Sequence, residues 1–262
     1  MAPKPVVLQP VRPNAGIEIA YRKALVAEID KMGASLDYWL TAAYRSNPPS
    51  LATDEISATT MLRAVRELTA RWQREFDRLA KRQGPAFIRK AGRYTDNAFA
   101  DRMRAAGFTV RFRPTPALKD TIAASVHENV GLIKSIAQQH LAQVEGMVMR
   151  SVTKGRDLGD LSRDLQEQLG VTKRRAAFIA RDQNGKATAA IARARQAEFG
   201  VTTALWKHSH AGKTPRPTHV KMDGQTYDIA KGMWDPAVGR WILPGEEPNC
   251  RCISRPIIEG FN

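Results

Sequence analysis

The chain has 262 residues, of which 41 are Lys or Arg and 26 are Asp or Glu, so its formal net charge is +15. Its 43% apolar content excludes a disordered basic tail, and its two cysteines cannot form a disulfide scaffold. Without a long apolar run or a recognisable signal peptide, the chain is expected to be soluble, cytoplasmic and free of membrane contact. The positive charge favours a polyanionic partner.

The charge is unevenly distributed. Residues 60–114 carry 14 basic and 5 acidic residues, a net +9, whereas residues 201–262 carry 8 and 6, a net +2. This difference predicts a basic helical region followed by a separate, nearly neutral C-terminal module.

Four prolines within the first thirteen residues predict an extended N-terminal arm over 1–15. A helix follows and is expected to end at the segment Asn47-Pro48-Pro49-Ser50. Its apolar residues recur mainly at three- and four-residue steps, which places them on one buried face: Tyr21, Leu25, Ile29, Met32, Leu36, Trp39 and Leu40.

A second helix is expected to begin after a cap at Thr53 or Asp54 and to end at Gly84-Pro85. Its apolar stripe comprises Met61, Val65, Leu68, Trp72, Phe76 and Leu79. The rest of its surface is basic, which suits either a solvated helix face or a contact with DNA or an acidic protein. The candidate contacts are Arg63, Arg66, Arg71, Arg74, Arg78, Lys81 and Arg82.

A short helix over 95–106 and a strand over 108–112, where apolar and polar residues alternate, are expected next. A long helix then begins near Pro116, and this completes a basic helical region over 16–150. Its apolar seam requires cover from another helix of this chain or from another protein: Ile122, Val126, Val130, Ile133, Ala137, His140, Val144 and Met147.

The remaining module, 151–262, is expected to contain helices over 157–199, the second capped by Thr172, and then short strands and loops over 200–262. Residues 201–262 hold 6 of the 18 glycines, 6 of the 15 prolines and both cysteines, with strands predicted at 201–207 and 222–227. The predicted fold class is α+β, predominantly α-helical, with long helices followed by a small C-terminal module.

Three histidines and both cysteines lie in this last segment. His219, Cys250 and Cys252 supply three zinc-type donors, and His210 or His208 is the candidate fourth. The spacing also fits two other interpretations: buried cysteines beside hydrogen-bonded histidines, or a catalytic cysteine activated by a histidine.

Several separated elements of this segment resemble the phage Mu F-like family of minor head proteins, also called the phage head morphogenesis domain. Three elements occur in order along the chain: a tryptophan at the end of a strand, an Arg-x-x-His segment leading into Asp-Gly, and a final Pro-Asn-Cys-Arg-Cys. The residues carrying the resemblance are Trp206, Arg216, His219, Asp223, Gly224, Pro244, Asn249, Cys250, Arg251 and Cys252.

The resemblance covers roughly residues 150–256 and implies a structural, non-enzymatic virion protein of a tailed phage or prophage. Such a protein would lie in the phage head near the portal vertex, after assembly in the host cytoplasm. Its implied partner is the portal protein, with the major capsid or scaffolding protein and non-specific DNA as further partners. Relatives carry a histidine before Asn-Cys-Arg-Cys where this chain has Glu247-Pro248.

Two alternative functions are also compatible with the sequence. The basic region suits a non-specific DNA-binding escort protein. The residues His208, His210, His219 and Asp223 suit a metal-dependent nuclease or hydrolase. No cofactor other than a structural zinc ion is expected.

Overall fold

The computed structural model describes residues 5–46, 54–153, 158–210 and 214–259. The helices are α1 (Ala15–Ser46), α2 (Asp54–Ala105), α3 (Pro116–Thr153), α4 (Leu158–Glu198) and α5 (Pro217–Lys221). The strands are β1 (Val6–Val7), β2 (Thr203–Lys207), β3 (Thr226–Asp228), β4 (Met233–Asp235), β5 (Arg240–Ile242) and β6 (Ile253–Ile258). The α+β, mainly α-helical prediction is confirmed, and no described helix is both long and apolar enough to cross a membrane.

Helix α2 continues through Gly84 and Pro85, where the sequence predicted its end. A proline inside a helix removes one backbone hydrogen bond and costs about 3 kcal/mol. Here the buried face continues on both sides of the proline, with Leu79 and Ala80 before it and Phe87 after it. The burial of this continuous stripe offsets the cost, so 95–106 is the end of α2 and not a separate short helix.

Helix α4 is likewise continuous where two helices were expected. Thr172 does not cap a helix: its hydroxyl donates to the carbonyl of Gln168 at 3.0 Å, as threonines in helix interiors commonly do. The same hydroxyl lies 2.8 Å from Nδ1 of His140. The proposed stop at 47–50, the cap at Thr53 and the start of the helix at Asp157 lie outside the described residues.

One compact unit consists of residues 19–85 and 128–179, and contains parts of all four long helices. Polar pairs join its helices: Trp72 donates to Ser35 at 3.2 Å, and Tyr21 donates to Asn129 at 2.9 Å. The predicted stripe residues of α1 and α2 are buried, except that Trp39 is 50% exposed because it lies at the edge of the stripe. The buried residues of α3 in this unit include Ile133, Ile136, Ala137, His140, Leu141, Val144 and Val148.

The second compact unit consists of residues 1–18, 86–127 and 180–262. Its four-stranded antiparallel sheet has the order β1-β6-β2-β3, and β4 pairs with β5 in a separate hairpin. Strand β1 belongs to the N-terminal arm and pairs with β6, so that Val6 faces Ile258. The two ends of the chain therefore contribute to one sheet, whose core includes Leu8, Val11, Phe99, Met103, Ala204, Trp206, Tyr227 and Ile258.

Residues 108–112 form no strand, because this extended segment has no partner strand among the described residues. The alternation instead places Phe112 against Phe99 and Phe199, with ring centroids 6.1 and 5.6 Å apart. Above Phe112, the nearly buried guanidinium of Arg195 donates to both carboxylate oxygens of Asp96, at 2.8 and 2.9 Å. This bidentate pair joins α2 to α4 within the unit.

Candidate metal centre

The fold brings together three of the predicted zinc-type donors from different elements. His219 lies on the short helix α5, Cys250 follows the loop after β5, and Cys252 immediately precedes β6. The donor atoms of these three residues all lie within 4.8 Å of one another. The cysteines are free thiols, as expected for a metal-binding or packing role.

The spacing of the donor atoms fits a tetrahedral zinc ion. Nδ1 of His219 is 3.5 Å from Sγ of Cys250 and 3.7 Å from Sγ of Cys252. With Zn–S bonds of about 2.3 Å and Zn–N bonds of about 2.0 Å, donors around one tetrahedral zinc lie about 3.5–3.8 Å apart. The two separations from His219 therefore match those around a bound zinc ion, and the two sulfur atoms lie within 4.8 Å of each other.

A buried carboxylate supports the histidine from the opposite side of its ring. Oδ2 of Asp235 lies 3.2 Å from Nε2 of His219, and both side chains are almost fully buried. The other oxygen of Asp235 accepts a hydrogen bond from the backbone of Ala237 at 2.9 Å. Among the described residues neither Nε2 of His219 nor Oδ2 of Asp235 has a hydrogen-bond partner, so their contact is a close approach of two buried polar groups and not a hydrogen bond. Metal-binding histidines commonly have a carboxylate beside their second nitrogen.

The electrostatics of the cluster favour a thiolate. The pKa of Cys250 is lowered because Cys252, and then His219, form hydrogen bonds that stabilise its thiolate. Burial alone would lower the pKa of His219, but contact with the Cys250 thiolate outweighs burial and raises it. Thiolate is the form of cysteine that binds zinc.

Trp206 forms one wall of the cluster and is fully buried on β2. Its ring meets the His219 ring edge to face, with centroids 5.5 Å apart. Next to it, Gly224 adopts a φ of +79° and donates its backbone N–H to the carbonyl of Trp206 at 2.8 Å. The turn at Asp223 and Gly224 thus anchors the strand that carries the tryptophan.

His210 lies outside the three-residue group, although the sequence made it a candidate ligand. Its Nε2 is 2.9 Å from Asp223, and its ring is largely exposed. Asp223 also accepts hydrogen bonds from Lys207 and from the backbone of His208, and these three donors outweigh burial and lower its pKa to about 2. His208 is buried, and its Nδ1 accepts the backbone N–H of His210.

Hydrogen bonds from other residues hold the segment that precedes Cys250 in place. Arg216 donates to the backbone carbonyl of Pro248 at 2.9 Å. Asn249 adopts a φ of +57°, accepts a hydrogen bond from Arg181 and donates its backbone N–H to Asp182 on α4. Pro244 is buried and Arg251 is exposed. Sequence reasoning missed Asp235, because it belongs to no spacing motif and only the fold brings it beside His219.

The seven basic candidates of α2 lie away from these residues in the sequence, and all seven are exposed. Within the described part of the chain, Arg78 pairs with Glu75 at 3.3 Å, and Arg71 lies over the ring of Trp72 at 5.9 Å. Trp72 and Phe76 are buried, so they are core residues and not base-stacking residues.

Comparisons with known proteins agree with the resemblance. Residues 142–255 match the family model described as Phage Mu protein F like protein. An uncharacterized protein of Haemophilus influenzae is 33% identical over 147 residues, which is 56% of this chain. The match spans about a third of that relative, 32% of its length. No solved structure matches the chain.

Proposed function

We propose that this chain is a structural minor head protein of a tailed phage or prophage that associates with the portal and assists head assembly. The observation that carries this proposal is the family match over residues 142–255, which includes the metal-type cluster and most of the sheet. The proposed location is the phage head near the portal vertex. The major capsid or scaffolding protein is a further proposed partner.

Co-expression with the portal protein encoded in the same phage genome tests this proposal. The full chain should elute with the portal oligomer on size-exclusion chromatography and stay with it through a second affinity step. An unrelated ring-shaped oligomeric protein expressed in place of the portal serves as the control. Elution of the chain alone at every salt concentration tested contradicts the portal role.

DNA contact is a second proposed role, favoured by the exposed basic face of α2. A protein that neutralises phosphates releases counterions, so its affinity falls steeply with salt, with a log–log slope of about −0.9 for each phosphate contact. Changing Arg66, Arg74 and Lys81 to glutamine should weaken binding to random-sequence duplex DNA and reduce this slope by about 2 to 3. The matched control changes the exposed residues Lys31, Arg104 and Arg163, which lie outside this face.

If DNA binding is absent at low salt, or if the two triple variants bind DNA equally well, the basic face is only a solvated helix surface. A nicking assay on supercoiled plasmid, run with and without divalent metal, belongs in the same series. We expect no cleavage, because the proposed role is structural and not enzymatic. Cleavage that His219→Asn abolishes establishes the nuclease alternative.

We also propose that His219, Cys250 and Cys252 bind one zinc ion that stabilises the C-terminal module. The donor separations and the support from Asp235 favour this proposal. The described His, Cys, Asp and Glu side chains supply three ligands to the group, so water or a group from a partner would complete the coordination.

Elemental analysis of the full chain, purified without added metal, should give about one zinc per chain. His219→Asn should lose this zinc and lower the melting temperature, and the exposed His127→Asn should change neither. Chelation of the wild type should reproduce the loss of stability. Metal-free protein whose melting temperature is unchanged by zinc identifies the cluster as packed, hydrogen-bonded residues only.

A further inference from the structure

A cavity of about 380 Å³ lies beside the cysteine loop within the unit that holds the sheet. One wall is a stripe of α4 that includes Thr188, Ala192 and Arg193. Further lining residues come from the N-terminal arm, from Tyr227 on β3, and from residues 244–254, which include Cys250, Cys252 and the start of β6. Its volume suits a small molecule or a few residues of peptide.

Gly245 allows the loop to approach α4 closely enough to enclose this space. Its φ is +81°, and a Cβ at this position would lie 2.8 Å from Cβ of Ala189. Only glycine satisfies both conditions without displacing a neighbour. The wall of the cavity is thus set by backbone geometry.

The lining of the cavity is cationic. Four arginines line it, Arg12, Arg181, Arg193 and Arg251, against two acids, Glu18 and Asp182. Asp182 is already occupied, since it contacts Lys186 at 3.2 Å and accepts the backbone N–H of Asn249. Since the lining arginines outnumber the lining acids, the cavity favours an anionic ligand.

Arg193 is the central cation of this lining. It is partly buried, and within the described part of the chain it has no hydrogen-bond or ion-pair partner. Burial lowers its pKa, although Tyr227 and Glu246 lie close enough to oppose that effect. Glu246 is itself engaged, by Arg240 at 2.6 Å and by the backbone of Leu243 at 2.9 Å.

Thr188 supplies an independent indication of a ligand. It is 2% exposed and lines the cavity, yet its hydroxyl has no hydrogen-bond partner among the described residues. Because an unpaired buried hydroxyl is destabilising, such groups normally face a hydrogen-bond partner. Thr188 lies five residues before Arg193 on α4, and both residues line the same space.

We propose that this cavity binds a carboxylate group of a peptide segment, with Arg193 as its ionic partner and the Thr188 hydroxyl as a hydrogen-bond donor. The planar guanidinium of arginine presents two parallel donors that match a carboxylate. Apolar lining residues such as Val11, Ala189 and Ala192 suit an aliphatic side chain next to that carboxylate. A phosphate of duplex DNA suits the cavity less well, because its charged neighbours would face these apolar side chains. The inference stands independently of the role in head assembly.

Calorimetric titration of the full chain with four probes tests the proposal. Acetyl-Leu-Leu carries a chain-end carboxylate, acetyl-Leu-Glu-Leu amide carries a side-chain carboxylate, acetyl-Leu-Leu amide carries none, and a 12-base-pair duplex represents DNA phosphate. We expect at least one carboxylate peptide to bind tenfold or more tightly than the neutral amide. Whichever carboxylate peptide binds more tightly identifies a chain end or a side chain as the source. Equal binding of all three peptides overturns the proposal, as does displacement of a bound peptide by the duplex.

Variants locate the site. Arg193→Gln should weaken binding of the carboxylate peptide about tenfold or more, Thr188→Val about threefold, and Arg193→Lys should retain part of the affinity. Arg174→Gln, at an exposed position of α4, is the matched control and should bind as the wild type does. Circular dichroism confirms that each variant is folded, and unchanged binding by folded Arg193→Gln overturns the proposal. If that variant does not fold, Thr188→Val and the wild-type peptide comparison decide the matter.

Discussion

Individual buried polar residues hold the helices in register. His140 lies in the apolar seam of α3 and is 2% exposed, and its Nδ1 lies 2.8 Å from the hydroxyl of Thr172 on α4. Burial lowers its pKa to about 4, so it stays neutral in the folded protein at physiological pH. The sequence pattern placed this histidine on the buried face, but it could not identify Thr172 as its partner, because the two residues lie on different helices.

This burial predicts a pH-dependent stability. Between the pKa of about 4 in the folded chain and the ordinary value near 6.5 in the unfolded chain, the unfolded state binds more protons. The contribution of neutral His140 to the free energy of unfolding is therefore fully present above pH 6.5. It is lost as the pH falls towards 4, by roughly 3 kcal/mol in total. Urea unfolding curves across this range should show the loss in the wild type and a clearly smaller loss in His140→Gln.

The exposed variant His127→Gln is the control for that measurement, and it should retain the pH dependence of the wild type. A wild-type free energy of unfolding that stays constant from pH 7 to pH 4.5 contradicts the account of His140.

Arg195 gives a second prediction at the scale of one residue. Arg195→Met leaves the Asp96 carboxylate without its bidentate partner in a partly buried site, and this should lower the free energy of unfolding by about 2–4 kcal/mol. Arg104→Met removes the exposed pair with Asp101 and should cost under about 1 kcal/mol. Thermal or urea unfolding of both variants checks the difference, and equal effects contradict it.

At the scale of elements, the apolar periodicity of α1 and α2 was sufficient to predict their buried faces, but not the length of α2 or α4. A Gly-Pro pair and an internal threonine are usual signals of a helix end or start, and here tertiary packing overrides both. The alternation over 108–112 predicted a strand because such a pattern buries one side of an extended segment. That side is buried against aromatic rings and not within a sheet.

A substitution at Gly84 tests how closely α2 approaches α3. A Cβ at this position would lie 2.9 Å from Cγ2 of Val130 on α3, whereas a Cβ at Gly131 would meet no atom within 4 Å. Gly131→Ala should raise stability by about 0.5–1 kcal/mol, the ordinary gain for alanine over glycine in a helix. Gly84→Ala should forfeit this gain or lower the melting temperature, and a gain as large as that of Gly131→Ala contradicts the close approach of the two helices.

At the scale of the whole molecule, each compact unit combines segments that are distant in the sequence. Strand β1, near the start of the chain, is an edge strand of the sheet and pairs with β6. The sequence predicted an extended arm, yet no local signal pairs β1 with β6, because that pairing spans some 250 residues. The candidate metal donors were the more predictable part, since cysteine and histidine are distinctive donors, whereas their support from Asp235 depends on the fold.

Leu8→Ala tests the arm as part of the core. Leu8 is 2% exposed among the core residues of the sheet unit, and its removal should cost about 2–4 kcal/mol. Val7→Ala, at a site 37% exposed on the same arm, should cost less than about 1 kcal/mol. Both values come from urea unfolding of the full chain, and a cost for Leu8→Ala no greater than that for Val7→Ala contradicts the packing of the arm.

The central claim, that the chain is a structural protein of the phage head, is tested most directly by quantitative mass spectrometry of purified heads. Particles should be prepared from the phage or induced prophage that encodes the chain and from a deletion mutant complemented in trans. We expect mature heads to contain the chain at a few copies per portal, and we expect head assembly to be defective in the uncomplemented deletion mutant. Absence of the chain from both assembling and mature heads, together with normal assembly in its absence, contradicts the account.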